Sequence, residues 1–310
     1  MDRNFESAVF FVELCEVALL AEGVDRNLSA ILLYHNFRVA LLAELGDDPF
    51  GHYIEQALKD NGIGTNLLTY DPVYRTGIQL KEYVKDGHDP AAPYYRKGSA
   101  ASHLSIREID ALDLGEIGLV HVTGIPPALS KEAREATYRL MERARKAQIP
   151  VTFDPNLRPA LWENDEMMRK VLNDLANYAD VVLPGIGECE ILAGTTDKEK
   201  AADFYHQKGA ALVVIKDGKN GAYVSEKKEN GEVVRDMIPG YPVKKVVDTV
   251  GAGDGFAVGV LSGLLKGLPV TECAKRGNAI GSIQVQHRGD NEGLPTEEIL
   301  QSYMAGNIQK

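Results

Sequence analysis

Short apolar runs alternate with longer amphipathic stretches from about residue 37 onward. Arg38–Leu45 is mostly apolar and predicts a buried strand, whereas Lys131–Gln148 repeats apolar residues on one helical face, with Ser130 suited to cap that helix. The same alternation predicts strands at Ile117–Thr123, Val151–Asp154, Val181–Leu183 and Leu212–Lys216, and helices at His52–Asn61, Glu163–Ala179 and Lys198–Gly209. Strands separated by helices of this length predict an α/β fold, a mostly parallel sheet with helices on both faces.

The segment Thr76–Ser99 breaks this alternation. It consists of two short runs around a turn rich in Gly, Asp and Pro, with charged and polar residues at alternate positions. This pattern predicts a β-hairpin with one solvent-facing side. In an α/β enzyme such a flap can close as a lid over the carboxyl ends of the strands, where ligands bind. An ordinary surface hairpin would have the same pattern and is the alternative.

Charge and composition narrow the classes of partner. Lys and Arg number 34 against 45 Asp and Glu, a net charge of −11, and no basic run offsets it, which argues against nucleic-acid binding. The longest apolar stretch, Ala8–Val24, contains three glutamates that are costly in a bilayer, so no membrane association is expected. Three isolated cysteines favour a reducing, cytoplasmic location: Cys15, Cys189 and Cys273.

The stretch Asp248–Leu265 has the strongest chemical signal. Gly251–Asp254 opens a helix that is apolar nearly all round, and glycines recur every fourth residue within it. Free N–H groups in a glycine turn at a helix N-terminus form an anion site, and Asp254 at its mouth could deprotonate a hydroxyl. The spacing differs from a dinucleotide-binding fingerprint, and no GxxxxGK[ST] loop is present. A structural turn with Asp254 as a helix cap is the alternative.

These residues, DTVGAGDGF, resemble the second signature of the PfkB-type carbohydrate kinases, D-T-x-G-A-G-D. The likeness extends over about residues 37–300. It implies a ribokinase-like fold in which Asp254 is the catalytic base. It also implies that the amides of Gly251, Ala252 and Gly253 form the anion hole for the transferred phosphoryl group.

The resemblance extends to the ATP side. Lys216–Gly221 is similar to the family's G-x-x-G turn, so Lys216, Gly218 and Gly221 are expected beside the nucleotide, together with Gly251 and Gly253. Glu188 stands at the Glu of the family's N-x-x-E, which organises water around Mg²⁺, although Gly185 replaces the Asn. Asn278 corresponds to an Asn near adenine, and Asp248 to a site beside a monovalent cation such as K⁺.

Two arginines bear on the acceptor, because a sugar acid needs a cation for its carboxylate and the arginine fork suits one. Arg96 lies in the flap and Arg158 follows a strand end in Asp154–Trp162. Both segments resemble the 2-keto-3-deoxygluconate kinases of this family, which implies substrate contacts from Tyr94, Arg96 and Arg158. A further contact of that group, a Tyr, is Gln79 here. A structural salt bridge is the alternative for either arginine.

The N-terminal part departs from the family. Of its first signature, which borders the sugar, Gly23 and Asn27 keep their spacing, but Glu22 and Asp25-Arg26 are bulky. The hypothesis is a single kinase domain over residues 1–310 with a lid formed by about 76–99, including part of 8–24, and a homodimer through the lid. The resemblance implies that this kinase phosphorylates 2-keto-3-deoxygluconate, and at carbon 6. The alternatives are a fructokinase, a 5-dehydro-2-deoxygluconokinase, or a weakened protein that binds a sugar acid or nucleotide.

Overall fold

The computed structural model describes residues 7–11, 38–79, 94–287 and 293–307. The strands are β1 (Ser7–Phe11), β2 (Arg38–Gly46), β3 (Leu68–Asp71), β4 (Ile78–Gln79), β5 (Tyr94–Tyr95), β6 (Val120–Thr123), β7 (Val151–Asp154), β8 (Val181–Val182), β9 (Leu212–Lys216), β10 (Ala222–Lys227) and β11 (Val233–Ile238). The helices are α1 (Pro49–Asp60), α2 (Ile106–Asp110), α3 (Pro126–Leu129), α4 (Lys131–Lys146), α5 (Asp165–Leu175), α6 (Ile186–Ala193), α7 (Lys198–Gln207), α8 (Ala252–Leu265), α9 (Val270–Gln284) and α10 (Glu297–Met304).

Within the described residues, nine strands form one sheet in the order β11-β10-β9-β8-β7-β6-β1-β2-β3. The pairings from β3 across to β9 are parallel, and the pairings of β10 with β9 and with β11 are antiparallel. The mostly parallel sheet predicted from the sequence is confirmed. Because parallel strands end at the same edge, the segments that follow β2, β6, β7, β8 and β9 lie along one rim of the sheet.

The sheet separates two apolar cores. Leu41 and Leu45 of β2 pack on one side with the buried faces of α1, α8, α9 and α10, whereas Leu42 packs on the other side with α4, α5, α6 and α7. This alternation along a single strand follows from the period of two in β structure. Helices therefore cover both faces, as the sequence predicts.

Helices α8 and α9 lie unusually close together. A Cβ atom added at Gly259 would overlap the main chain of Gly277, and one added at Gly263 would lie 2.7 Å from Cys273 Sγ. The glycine repeat thus provides the close approach that its spacing predicts. Gly267 differs, because it follows the helix at φ +68° and serves the turn instead.

The N-terminal strand limits one prediction, that part of residues 8–24 belongs to the lid. Residues 8–11 belong to β1, which pairs in parallel with β2 and β6 at the centre of the sheet, and are therefore not part of the lid. A short apolar run such as Ala8–Phe11 is typical of a central strand covered on both faces, whereas the predicted alternation starts only at residue 37. Residues 12–24 of the proposed lid segment lie outside the described residues.

Other predicted boundaries shift by a few residues. Helix α1 starts at Pro49 because Asp48 caps it, accepting hydrogen bonds from Phe50 N and Gly51 N. Ser130 caps α4 as expected, since Ala133 N donates to its Oγ at 2.9 Å. None of the helices in the described ranges is long and apolar enough to cross a membrane.

Candidate active site

The glycine turn before α8 has the geometry of an anion-binding helix terminus. Gly251 adopts φ +76°, a left-handed conformation that favours glycine, and the helix begins at Ala252. The first intrahelical bond, from Gly255 N to Gly251 O at 2.8 Å, begins after the turn. The N–H groups ahead of it have no helical acceptor. A side chain at Gly253 would meet open space, so the mouth of the turn is open.

Asp254 lies in the first turn of this helix and is only 8% exposed. The residues before it are held in place, because Val250 N donates to Asp248 Oδ1 at 3.1 Å and Val247 N donates to Val285 O at 2.7 Å. Asp254 therefore borders the glycine turn at the start of a helix whose leading loop is fixed, and its role as catalytic base stays a prediction.

A buried ion pair lies nearby at the ends of β7 and β9. Lys216 Nζ donates to Asp154 Oδ2 at 2.6 Å, and the two side chains are 18% and 4% exposed. Burial alone would lower the pKa of Lys216, but the charges of Asp154, Glu188 and, more weakly, Asp254 raise it. The lysine is thus a fixed positive charge among three carboxylates at the sheet edge.

Glu188, in the first turn of α6, binds two main-chain amides. Its Oε2 accepts from Gly185 N at 2.6 Å and its Oε1 accepts from Leu157 N at 2.8 Å. Burial raises the pKa of this carboxyl, Lys216 lowers it, and Asp154 raises it, with a net shift upward. Gly185 stands where the family has Asn. A Cβ atom added there would lie 3.4 Å from Glu188 Oε2, an ordinary contact distance, so the structure has room for a side chain at this position.

A histidine that the sequence did not single out lies behind this cluster. His121 of β6 is fully buried, with Nδ1 2.8 Å from Thr152 Oγ1. Burial, aided by the charge of Lys216, lowers the pKa of His121 to about 3. The imidazole is therefore neutral at physiological pH.

The segment after β7 turns sharply before Arg158. Asn156 has φ +39°, which is uncommon for a residue with a side chain, and its N–H donates to Asp154 Oδ1 at 3.1 Å. Arg158 Nη1 donates to Leu157 O at 2.9 Å. Arg158 thus follows a tightly folded loop at the same edge as Asp254.

The flap contains the second arginine. Strands β4 and β5 are antiparallel, which confirms the predicted hairpin at its two ends, and residues 80–93 lie outside the described residues. Arg96 is 3% exposed, its Nη2 donates to Gln79 Oε1 at 2.7 Å, and its Cζ lies 4.8 Å from the centre of the Tyr94 ring. Tyr94 and Arg96 are therefore neighbours, as the motif predicts.

The base of the flap is anchored to the sheet edge. Gly46 N, at the end of β2, donates to Thr76 Oγ1 at 3.0 Å, and Thr76 N donates to Asp48 Oδ2 at 2.9 Å. These contacts fix the flap beside the carboxyl end of β2. The sequence did not single out Thr76 or Asp48, and only the cap position of Asp48 before Pro49 signals a role.

The turn expected beside the nucleotide is tightly constrained. Gly218 and Gly221 have φ +52° and +100°, and a Cβ at Gly221 would overlap the carbonyl of Ile238. Asn278 of α9 donates through Nδ2 to Ile238 O at 3.1 Å and to Pro239 O at 3.2 Å. The turn, Ile238 and Asn278 thus form one unit. The two residues expected to contact the sugar from the N-terminal segment, Gly23 and Asn27, lie outside the described residues.

Known proteins share both the sequence and the fold. The pfkB family carbohydrate kinase model matches residues 17–297. The 2-dehydro-3-deoxygluconokinase of Bacillus subtilis (strain 168) is 45% identical over 284 residues, covering 91% of this chain and 86% of that protein. The chain belongs to the pfkB family of carbohydrate kinases.

Two solved structures extend the comparison. The PfkB protein from Polaromonas sp. JS666 has a TM-score of 0.82 at 38% identity, covering 96% of this chain and 99% of that one. A double mutant of the fructokinase from Vibrio cholerae O395, bound to fructose, ADP and potassium ion, has a TM-score of 0.84 at 25% identity, covering 98% and 100%. The ribokinase-like fold predicted from the sequence is thereby confirmed.

Proposed function

We propose that this protein transfers the γ-phosphoryl group of ATP to the carbon-6 hydroxyl of 2-dehydro-3-deoxygluconate (2-keto-3-deoxygluconate). The supporting observation is the combination, on one sheet edge, of a glycine turn with Asp254 and of the two arginine segments. The 45% identity to the Bacillus subtilis 2-dehydro-3-deoxygluconokinase supports the choice of a sugar acid over fructose.

Asp254 is the general base in this proposal. It accepts the proton of the carbon-6 hydroxyl while that oxygen bonds to the γ-phosphorus, and the bond from phosphorus to the β-phosphate oxygen breaks to release ADP. Phosphoryl transfer has a loose transition state, so a correctly placed carboxylate is sufficient. The amides of Gly251, Ala252 and Gly253 stabilise the charge on the transferred group.

ATP lies along the constrained turn. Gly218 and Gly221, with Gly251 and Gly253, let the main chain approach the phosphates without side chains in the way. Lys216 supplies positive charge at the strand end, and its bond to Asp154 keeps it in place. The Nδ2 group of Asn278 binds main-chain carbonyls, so its Oδ1 is the end that could accept from an adenine amino group.

The described residues fit a magnesium ion that arrives with the nucleotide. No group of three or more His, Cys, Asp or Glu side chains in the described ranges is arranged to hold a metal. Mg²⁺ needs no such cage, because it keeps several waters and binds substrate phosphates. Glu188 would hold one of these waters, since each of its oxygens has a second lone pair beyond the amide it binds. When bound, the ion neutralises charge between the β- and γ-phosphates.

The second cation site is assigned to Asp248. Its carboxylate already shapes the loop ahead of the anion hole, where it accepts from Val250 N. A monovalent cation such as K⁺ beside this loop would keep the anion hole in the binding geometry. The potassium ion in the Vibrio cholerae fructokinase structure supports this assignment.

The acceptor lies between the flap and the β7 loop. Arg96 and Arg158 bind its carboxylate, and Tyr94 contacts the sugar beside Arg96, where the ring already packs against the guanidinium. Gly23 and Asn27 contribute the remaining contacts from the N-terminal segment. The flap, residues 76–99, closes as a lid over the single domain 1–310.

We also infer a cytoplasmic homodimer that associates through the lid. Tyr95 on the flap is 62% exposed, which suits a surface that a second copy covers. Cys189 and Cys273 are buried free thiols, which fits a reducing compartment. Light scattering of the purified protein tests the dimer, and a monomer at micromolar concentration would contradict it.

Product identification tests the proposed reaction. The protein is incubated with Mg-ATP and 2-dehydro-3-deoxygluconate, fructose or 5-dehydro-2-deoxygluconate, and each product is examined by mass spectrometry and phosphorus NMR. We expect a 6-phosphate ester of 2-dehydro-3-deoxygluconate as the main product. A phosphate ester of fructose alone would contradict the proposal, and ATP binding without any product would indicate the weakened alternative.

A further inference from the structure

The loop that ends at Arg158 is fixed by contacts from the nucleotide side of the site. Leu157, the residue before the arginine, donates its N–H to Glu188 Oε1 at 2.8 Å. Asp154, where the loop begins, accepts from Lys216 Nζ at 2.6 Å through Oδ2 and from Asn156 N at 3.1 Å through Oδ1. Both ends of the loop are therefore held by side chains of neighbouring segments, Glu188 of α6 at one end and Lys216 of β9 at the other.

Those side chains are themselves linked. The main-chain N–H of Lys216 donates to Pro184 O at 2.8 Å, and Gly185 forms a bridge with Lys216 at the end of the sheet. Glu188 closes this unit by accepting from Gly185 N at 2.6 Å. The residues expected to face ATP and its metal thus form one hydrogen-bonded body with the loop of Arg158.

The loop includes one residue in an uncommon conformation. Asn156 has φ +39°, in the left-handed region that few residues with a side chain occupy and that Asn adopts more readily than most. Arg158 adds one bond within the loop itself, from Nη1 to Leu157 O at 2.9 Å. Hence the amide of Leu157 is the point at which a change at Glu188 reaches the guanidinium most directly.

We propose that Glu188 is a positioning residue for sugar-acid recognition, because it holds the amide of Leu157 and so sets the placement of Arg158, while Lys216 supports the same loop through Asp154. This inference rests on the proposed function for its kinetic consequence. It differs from a role of Glu188 confined to water around Mg²⁺. Arg96 is held by Gln79 and Tyr94 within the flap and provides the matched comparison.

A double-mutant cycle separates the two roles. Glu188→Gln keeps the size of the side chain but turns one acceptor into a donor, which then faces either Leu157 N–H or Gly185 N–H. At saturating ATP and Mg²⁺ we expect Glu188→Gln to raise KM for 2-dehydro-3-deoxygluconate by about 10-fold, the scale of a hydrogen bond to a charged group. In an Arg158→Ala background the same change should raise KM by less than about threefold, because the positioned group is absent.

The Arg96→Ala background is the control. There we expect the full effect of Glu188→Gln, since Arg96 is held by the flap and not by the β7 loop. Equal effects in all three backgrounds would overturn the proposal, because Glu188 would then act independently of Arg158. An effect that disappears at high Mg²⁺ would overturn it as well.

Amide hydrogen exchange provides a readout that needs no substrate. In the ligand-free protein, the amide of Leu157 should exchange at least about tenfold faster in Glu188→Ala than in the native protein, because alanine removes both acceptor oxygens. Unchanged exchange would overturn the inference even if the acceptor proves to be another sugar. If the native protein phosphorylates none of the sugar acids, only the proposed function is overturned. If Glu188→Gln does not fold, the KM for the sugar acid and the amide exchange are measured instead for Asp154→Asn, which changes the other end of the loop.

Discussion

Arg96 donates through Nη2 to Gln79 Oε1 at 2.7 Å, and this bond joins the residue that follows β5 to the end of β4. Gln79 lies directly opposite Tyr94 in the hairpin, and the Tyr94 ring centre is 4.8 Å from Arg96 Cζ. The guanidinium is therefore oriented before any substrate binds. Preorganisation of this kind lowers the entropic cost of recognition.

Substitutions at Gln79 should change recognition of the sugar acid through Arg96. Gln79→Leu removes the acceptor, and we expect KM for 2-dehydro-3-deoxygluconate to rise by about 10-fold, the scale of a hydrogen bond to a charged group. Gln79→Glu should raise KM further, because its carboxylate competes with that of the substrate for the same arginine. Steady-state kinetics of both variants check this order, and tighter binding by the Glu variant would contradict it.

Asp254→Asn should lower kcat by at least about 100-fold, within the usual range for loss of a general base. Binding of ATP, measured by calorimetry, should persist because the glycine turn is unchanged. Asp113→Asn is the matched control, since Asp113 is an exposed carboxylate in the loop that leads to the amino end of β6. Near-normal turnover in Asp254→Asn would refute the assignment of the base.

Arg96→Ala and Arg158→Ala should each weaken binding of the sugar acid by about 1.5–3 kcal/mol, the scale of a charge-assisted hydrogen bond. Neutral sugars should be affected much less, because they have no carboxylate to lose a partner. Binding of 2-dehydro-3-deoxygluconate and fructose to each variant provides the comparison. Equal losses for both ligands would mean that the arginines are structural.

Sequence motifs could point to the candidate residues at the carboxyl edge of the sheet, because each motif is a local feature with a fixed spacing. Asp254 with its glycine turn and Tyr94 with Arg96 are close in sequence, so a pattern indicates them. The bond from Glu188 to Leu157 and the ion pair of Lys216 with Asp154 join segments 31 and 62 residues apart. Such contacts depend on strand order, which alternating apolar runs do not specify. Strand β1 was missed because its five residues merge with the apolar run that follows.

Glu44 of β2 should make the stability of the protein depend on pH. Burial, with the charges of Glu108 and Asp71, raises the pKa of Glu44 from 4.5 to about 7. Its Oε2 is buried without a hydrogen-bond partner among the described residues. The folded protein therefore holds this proton more tightly than the unfolded chain, so the contribution to stability is lost as pH rises from about 4.5 through 7.

Chemical denaturation at pH 5 and pH 8 checks this sign. Glu44→Gln should lose less stability than the native protein between the two values and should be the more stable of the two at pH 8. Glu163→Gln, on an exposed residue, serves as the control and should follow the native protein. A native protein that gains stability relative to Glu44→Gln as pH rises would contradict the upward shift.

The ratio of kcat/KM for 2-dehydro-3-deoxygluconate to kcat/KM for fructose tests the central claim most directly, because it measures in one number whether the site transfers phosphate and whether it selects a carboxylate. Both values are obtained with the native protein under the same Mg-ATP concentration, with ADP release coupled to an optical readout. A charge-assisted contact from even one arginine favours the sugar acid by about 10-fold or more, so we predict a ratio above about 10. A ratio at or below one, with turnover of fructose, would contradict the account.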